Sequence, residues 1–177
     1  MMAGVLYLCA TPIGNLEDIT LRCIRVLKET DIVAAEDTRQ AIKLLNHLRI
    51  RKPLISYHEH NKHEKGKEIV ELLKSGKNIA LVSDAGMPAI SDPGEELVRL
   101  CIDNNIEIIP LPGPSASLTA LIVSGLSTRR FCFEGFLPSK KNERRERLKK
   151  LSRETRTIIL YEAPHRLLDT LNEIMAQ

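Results

Sequence analysis

Residues 78–94 read Asn78-Ile-Ala-Leu-Val-Ser-Asp-Ala-Gly-Met-Pro-Ala-Ile-Ser-Asp-Pro-Gly94, and the fold turns on how this stretch is read. Ile79–Val82 is a short apolar run with two β-branched members, the pattern of a buried strand. It stops at Ser83-Asp84-Ala85-Gly86, and helical spacing resumes from Glu95 to Cys101. A strand that ends in small residues and a carboxylate before entering a helix marks where open α/β sheets take ligands. The same residues also suit an ordinary β–α turn rich in Gly, Pro and Asp. The stretch alone leaves both readings open.

Its flanks repeat the theme. Strand-like runs at Val5–Ala10, Ile32–Ala35, Leu54–Tyr57 and Glu107–Leu111 alternate with helical patterns. These patterns hold Leu21, Ile24 and Leu27 behind a cap at Asp18 or Thr20, then residues Gln40–Leu48, then Ile69, Val70, Leu72 and Leu73 closed by Gly76. Such alternation over the first ~110 residues predicts a mostly parallel sheet with crossover helices. Pro110-Leu111-Pro112-Gly113-Pro114 reads as a linker too rich in proline to continue an element. A helix at Ser115–Val123 and strands at Phe131–Phe136 and Thr157–Tyr161, with a basic helix between the strands, then form a second domain. The expected division is 1–112 and 113–177. The second domain reads as incomplete, because two strands and two or three helices cannot cover both faces of a sheet. The chain stops inside a helical pattern without a cap, so a fragment of a longer protein is expected.

Composition narrows the class. With 177 residues, 43% of them hydrophobic, the chain can bury a sizeable core. Cys9, Cys23, Cys101 and Cys132 form no C-x-x-C pair, which argues against a disulfide framework or a zinc knuckle and for a reduced, cytoplasmic protein. Val5–Ala10 is too short for a signal or membrane segment. Charge is unevenly placed. Residues 140–156 hold nine of the 26 Lys/Arg and three of the 23 Asp/Glu, leaving 17 basic against 20 acidic residues elsewhere. A local basic surplus of this kind fits an anionic partner meeting one face.

Four loops share one address, the carboxyl end of a predicted strand: Thr11–Asn15, Glu36–Arg39, His58–Asn61 and Ser83–Asp92. A parallel sheet gathers such loops on one rim. Neither G-x-x-x-x-G-K-[ST] nor G-x-G-x-x-G occurs, which weighs against a nucleoside triphosphate or a dinucleotide. Carboxylates at strand ends suit a ligand with hydroxyls or an amine, and tolerate a sulfonium. His58-Glu59-His60-Asn61-Lys62-His63 is not H-E-x-x-H, so His58 or Glu59 reads as a general base or an orienting group rather than a metal ligand. In the basic segment, Glu143 with Arg147 and Glu146 with Lys150 have i,i+4 spacing, yet a positive surplus remains for phosphates. Only 3% of residues are aromatic, so stacking platforms for bases are not evident.

Seven segments, in order, carry a resemblance. Thr11–Thr20 resembles the first Gly/Pro loop of the tetrapyrrole-methylase family (class III S-adenosylmethionine methyltransferases), Ser83–Gly94 its Gly-Asp-Pro-like loop, and Leu111–Ala116 its Pro-Gly-x-Ser hinge. Ala35–Arg39, Ser56–Asn61, Phe133–Pro138 and Tyr161–Arg166 resemble the subfamily RsmI, which methylates the ribose 2′-hydroxyl of a cytidine in the decoding centre of 16S ribosomal RNA. The resemblance implies a tetrapyrrole-methylase-like α/β fold of two domains, S-adenosylmethionine in the cleft between them, and a homodimer. It places Pro12, Ile13, Gly14, Asp84, Ala85, Gly86, Pro88, Ser115, Ala116 and Tyr161 at the cofactor. Asp84-Ala85-Gly86 stands where the wider family has Gly-Asp-Pro, which moves the carboxylate by one residue.

An in-line methyl transfer needs no metal, but a ribose hydroxyl needs a base. Glu36, Asp37, His58 and Glu59 are the candidates for that role. Arg39, Lys140, Lys141, Arg144, Arg145, His165 and Arg166 are the candidates for contact with RNA on the small ribosomal subunit. A tetrapyrrole methylase of the same fold and a catalytically incomplete RNA-binding fragment are the rival expectations.

Overall fold

The computed structural model describes residues 2–176; Met1 and Gln177 lie outside the described residues. The chain divides at Ser115/Ala116 into two compact units.

The first unit is a five-stranded parallel sheet, β1 (Leu6–Cys9), β2 (Ile32–Ala35), β3 (Leu54–Ser56), β4 (Ile79–Val82) and β5 (Ile108–Leu111), in the order β3-β2-β4-β1-β5. Four helices connect them: α1 (Leu21–Glu29), α2 (Thr38–His47), α3 (Lys62–Lys74) and α4 (Gly94–Asp103). The apolar run of β4 explains why the sheet is covered twice. Ile79 and Leu81 pack with Ile69, Val70 and Leu73 of α3 and Leu97 and Cys101 of α4, while Ala80 and Val82 pack with Val26 and Leu27 of α1 and Ala41 and Leu45 of α2. Alternate residues point to opposite faces, so a strand buried on both must be apolar throughout. Each fully buried leucine or isoleucine here, such as Leu27, Leu73 and Ile79, contributes about 1.5–3 kcal/mol.

Local chemistry sets the helix ends. Thr20 caps α1, its hydroxyl oxygen accepting from Cys23 N–H at 3.0 Å. After α3, Gly76 N–H donates to Leu73 O at 2.9 Å and Lys77 N–H to Leu72 O at 3.1 Å, a paired closure that needs the left-handed φ of +93° at Gly76. One expectation needs correction. Pro110 and Leu111, which fall in both the expected strand Glu107–Leu111 and the expected linker, complete β5, so the linker loses its first two residues. β5 is one of the two edge strands, where a proline nitrogen without a hydrogen can face no neighbour.

The second unit has a parallel strand pair, β6 (Phe131–Phe136) and β7 (Thr157–Tyr161), with three helices, α5 (Ala116–Val123), α6 (Lys141–Leu151) and α7 (Leu167–Met175). The register shifts between Phe133 and Gly135, so Glu134 stands in a bulge. Its buried apolar residues among those described are Leu121, Leu137 and Leu148, while Ile122, Val123, Leu168 and Met175 are exposed. No described helix is long and apolar enough to cross a membrane.

Candidate functional site

The sheet order fixes where polar groups meet. From β2 the chain turns outward to β3, whereas from the adjacent β4 it crosses β1 to reach β5. Neighbouring strands whose connections diverge open a crevice at their carboxyl ends. The β2 and β4 loops touch there: Asp37 N–H donates to Asp84 Oδ1 at 3.2 Å.

The β1 and β4 loops are joined more firmly. Thr11 and Gly86 exchange backbone hydrogen bonds of 2.9 and 3.0 Å. Thr11 Oγ1 donates to Ser83 O, and Ser83 Oγ donates to Gly86 O, both at 3.1 Å. Gly86 has φ +81°, and a side chain there would meet Ile13 Cγ2 at 3.4 Å and Pro114 O at 3.5 Å. At Gly113 an added Cβ would lie 2.6 Å from the Ala10 Cβ, so the segment after β5 lies against the end of β1 only because Gly113 has no side chain. Gly14, by contrast, has open space on its Cβ side.

Residues 89–94 store backbone strain. Ala89 and Ser91 adopt φ +67° and +59°, conformations that disfavour a side chain. Asp92 holds them, with Oδ1 accepting from Ala89 N–H at 2.8 Å and from Gly94 N–H at 2.7 Å. Tyr57, fully buried, donates to Pro93 O at 3.1 Å and ties the end of β3 to the same loop. Neither Asp92 nor Tyr57 was singled out by motif. Asp92 has one signal, an Asp two residues before a Gly at a helix start, which is common enough to pass as a turn.

Glu36 lies at the centre of the charges. Partial burial pushes its carboxyl up, and the neighbouring carboxylates of Asp84, Asp92 and Asp37 add to this, with His58 opposing. Burial likewise raises Asp92, against the pull of its two N–H donors. His58 is positioned through its backbone, its N–H donating to Asn61 Oδ1 at 2.8 Å while Asn61 Nδ2 donates to Ser56 O at 3.0 Å. Its Nδ1 is buried without a hydrogen-bond partner.

The other candidate bases are occupied. Asp37 caps α2, accepting from Arg39 N–H at 2.8 Å, and its carboxylate also takes Arg39 Nε at 3.0 Å and a terminal nitrogen at 2.7 Å. This clasp holds Asp37 down to about 2, too weak a base for a hydroxyl, and engages the Arg39 guanidinium expected on phosphate. Glu59 pairs with Lys62 at 2.7 Å, and Lys62 and His63 reach Glu96 at 3.2 and 2.7 Å, a surface network by α3 and α4. On the α2 side of the rim, Thr11, Pro12, Leu16, Gln40, Ala41, Lys43, Leu44, Val82, Ser83 and Asp84 line a cleft of about 270 Å³. Among the described residues no cluster of three or more His, Cys, Asp or Glu could hold a metal.

In the second unit the basic helix is not uniformly free. Arg144, expected among the phosphate contacts, is buried: it donates to Thr170 Oγ1 at 2.6 Å and pairs with Glu173 at 2.7 Å, with Glu162 at 3.8 Å. Thr170 Oγ1 donates in turn to Glu162 Oε2 at 2.6 Å, and Arg166 Nε approaches Glu162 Oε1 at 3.5 Å. Nor does Glu143 pair with Arg147, since Glu143 takes Lys140 at 3.0 Å and Arg147 bonds Glu134 in the β6 bulge. Lys140, Lys141, Arg145 and His165 are exposed. Arg145, Glu146, Lys149, Ser152 and Arg153 line a furrow of about 500 Å³ beside α6. Ala116 opens α5 and Tyr161 ends β7, its ring edge-on to Phe133 at 5.0 Å.

A parallel sheet with glycine-closed loops over a carboxylate-lined crevice defines a class. The chain belongs to the tetrapyrrole (corrin/porphyrin) methylases, whose family profile matches residues 5–177. That family consists of S-adenosylmethionine-dependent methylases. Within it, similar relatives bear the name ribosomal RNA small subunit methyltransferase I. The relative from Synechocystis sp. is 58% identical over 171 residues, 97% of this chain and 61% of the relative. That from Halalkalibacterium halodurans is 59% identical over 172 residues, 97% of this chain and 60% of the relative. That from Thermotoga maritima is 54% identical over 172 residues, 97% of this chain and 77% of the relative. The chain thus spans about six-tenths of the first two. Two solved structures share the fold. Cobalt precorrin-4 methyltransferase superposes with TM-score 0.69 at 18% identity, covering 97% of this chain and 74% of the other. Uroporphyrin III C-methyltransferase from Thermus thermophilus gives 0.66 at 17%, covering 98% and 76%.

Proposed function

We propose that the protein methylates the ribose 2′-hydroxyl of a cytidine in 16S ribosomal RNA, on the small ribosomal subunit, with S-adenosylmethionine as donor. The observation that carries the mechanism is the contact of the β2 and β4 loops at the crevice, Asp37 N–H donating to Asp84 Oδ1 at 3.2 Å, beside the partly buried carboxyl of Glu36. The relatives' shared name supports RNA as the substrate. The same resemblance carries with it a cytoplasmic homodimer.

The residues present fit the donor. Gly86 and Gly113 keep space and close approach where a Cβ would intrude, and Gly14 leaves its side of the first loop open. The exposed carboxylate of Asp84 accepts from an amine or a ribose hydroxyl. On the first unit Pro12, Ile13, Gly14, Asp84, Ala85, Gly86, Pro88 and Ser115 would hold the donor; Ala116 and Tyr161 keep the role that the resemblance implies. When bound, S-adenosylmethionine supplies a methyl group already activated by its sulfonium.

This chain's own task is to aim a hydroxyl and take its proton. Glu36 is the candidate for proton acceptor, because a raised carboxyl is a stronger base than an ordinary one. The charge of Asp84 and Asp92 keeps its proton affinity high, and His58 is placed to steady the ionised form. Lys140, Lys141 and Arg145 supply exposed cations for phosphates, with His165 beside them in the set. The experiment is transfer of a tritiated methyl group, offering small ribosomal subunits and a precorrin in parallel. Label in the ribose of subunit RNA is the expected result. Label in the precorrin alone would establish the tetrapyrrole reading, and cofactor binding without transfer to either would establish a binding protein.

A further inference from the structure

The cleft on the α2 side of the rim has no role in the reading above. Of the residues assigned to the donor, only Pro12 and Asp84 line it; Ile13, Gly14, Ala85, Gly86, Pro88 and Ser115 do not. It therefore shares Thr11, Pro12, Ser83 and Asp84 with the two loops but has α2 as its other wall. At about 270 Å³ it falls just below the ~300–1,000 Å³ typical of small-molecule pockets, too small for a macrocycle and suited to one flat group.

Its chemistry is graded. Pro12, Leu16 and Leu44 give apolar walls. On α2, Lys43 Nζ donates to Gln40 Oε1 at 3.3 Å, which orients the Gln40 amide and keeps a cation at the mouth. Opposite, the Thr11 and Ser83 hydroxyls direct their hydrogens to backbone carbonyls, so the oxygens present lone pairs. Apolar walls, donors on one side, acceptors on the other and a cation at the entrance match a single nucleotide: a base between the walls and a phosphate at Lys43. Asp84 is common to the cleft and the carboxylate cluster, so a nucleotide seated here would carry its ribose toward Glu36.

We propose that this cleft receives one nucleotide extruded from the RNA, with Gln40 and Lys43 as its positioning residues. The proposal rests on the RNA methylation reading. Enzymes that act on a base inside a duplex take its nucleotide out of the stack and seat the base in a snug pocket.

The test compares Leu44→Trp, which fills the cleft, with Lys43→Ala, an exposed change that leaves the core alone. Calorimetry with S-adenosylmethionine and methyl transfer to small ribosomal subunits are measured for each. Cofactor affinity is expected to stay at the wild-type value. Transfer, as kcat/KM, should fall about 100-fold or more with Leu44→Trp and about tenfold with Lys43→Ala, the loss of one charge-assisted hydrogen bond. Wild-type transfer in both variants would overturn the proposal. So would loss of cofactor binding in Lys43→Ala, because the cleft would then hold the donor. A wild-type protein that binds cofactor yet methylates no subunit RNA would overturn the RNA reading, and the cleft's assignment with it.

Discussion

Glu36 and Glu162 are both withdrawn from solvent, and their protons are held in opposite ways. Glu36 is surrounded by Asp84, Asp92 and Asp37, so burial and like charge raise it. Glu162, with only 7% of its side chain exposed, accepts from the Thr170 hydroxyl and lies among Arg166 and Arg144, which lowers it. The first unit gathers carboxylates around Glu36, and Asp37 is the one among them that an arginine clasps. The second folds its charges into one another. The difference separates a group available for proton transfer from a group that holds three elements together, since Glu162 follows β7, Arg144 is on α6 and Thr170 on α7.

The largest effect is expected in the second unit. Arg144→Ala would remove the buried guanidinium that joins Thr170, Glu173 and Glu162, leaving Glu162 only Arg166, a loss of about 3–5 kcal/mol in a urea titration. Arg144→Met together with Glu162→Gln should recover part of this, because methionine refills the buried space and a neutral amide no longer needs the lost cation. Equal stability of the two variants would refute the structural role.

Next comes Glu36. Its replacement in Glu36→Gln is expected to slow single-turnover methyl transfer by about 10²–10⁴-fold. The wild-type rate should rise with pH through a midpoint above the ordinary glutamate value of about 4.3, since Glu36 must lose a proton to act. Linkage gives the matching stability sign. A carboxyl raised in the folded state contributes stability below its unfolded pKa, and that contribution is lost as pH rises through the folded value. Glu162 is lowered, so its contribution is present above the unfolded pKa and lost as pH falls through the folded one. At neutral pH, therefore, Glu36→Gln should stabilise the protein slightly and Glu162→Gln destabilise it.

The smallest effect concerns the loop bridge. Gly86→Ala places a side chain at φ +81° and is expected to cost roughly 1–2 kcal/mol, read as a lowered thermal midpoint. Because Gly86 bridges to Thr11, the change should also weaken cofactor binding, whereas Gly125→Ala, with φ +74° and open space, should affect stability alone.

What could be read from sequence differs between the units for a physical reason. β4 announces itself because burial on both faces demands four consecutive apolar residues, and the crevice follows from strand order and loop composition. Pro110 fits both the strand and the linker in sequence, because membership of an edge strand depends on sheet order, which no local pattern carries. Among the acidic candidates, sequence could not separate Glu36 from Glu59: Lys62 draws Glu59 to the surface network, and that depends on where α3 begins. Arg144 looked like its basic neighbours. Only the packing of α6 against α7 gives it Thr170 and Glu173.

The central claim is a division of labour at one crevice, with Asp84 holding the donor and Glu36 taking the proton. It is tested most directly by calorimetric titration of S-adenosylmethionine into Asp84→Asn and Glu36→Gln, paired with methyl transfer to small ribosomal subunits. Asp84→Asn should lose cofactor affinity by about tenfold or more, the loss of a charged hydrogen-bond acceptor, while Glu36→Gln keeps its affinity and loses transfer. Full transfer by Glu36→Gln, or unaltered affinity in Asp84→Asn, would contradict it.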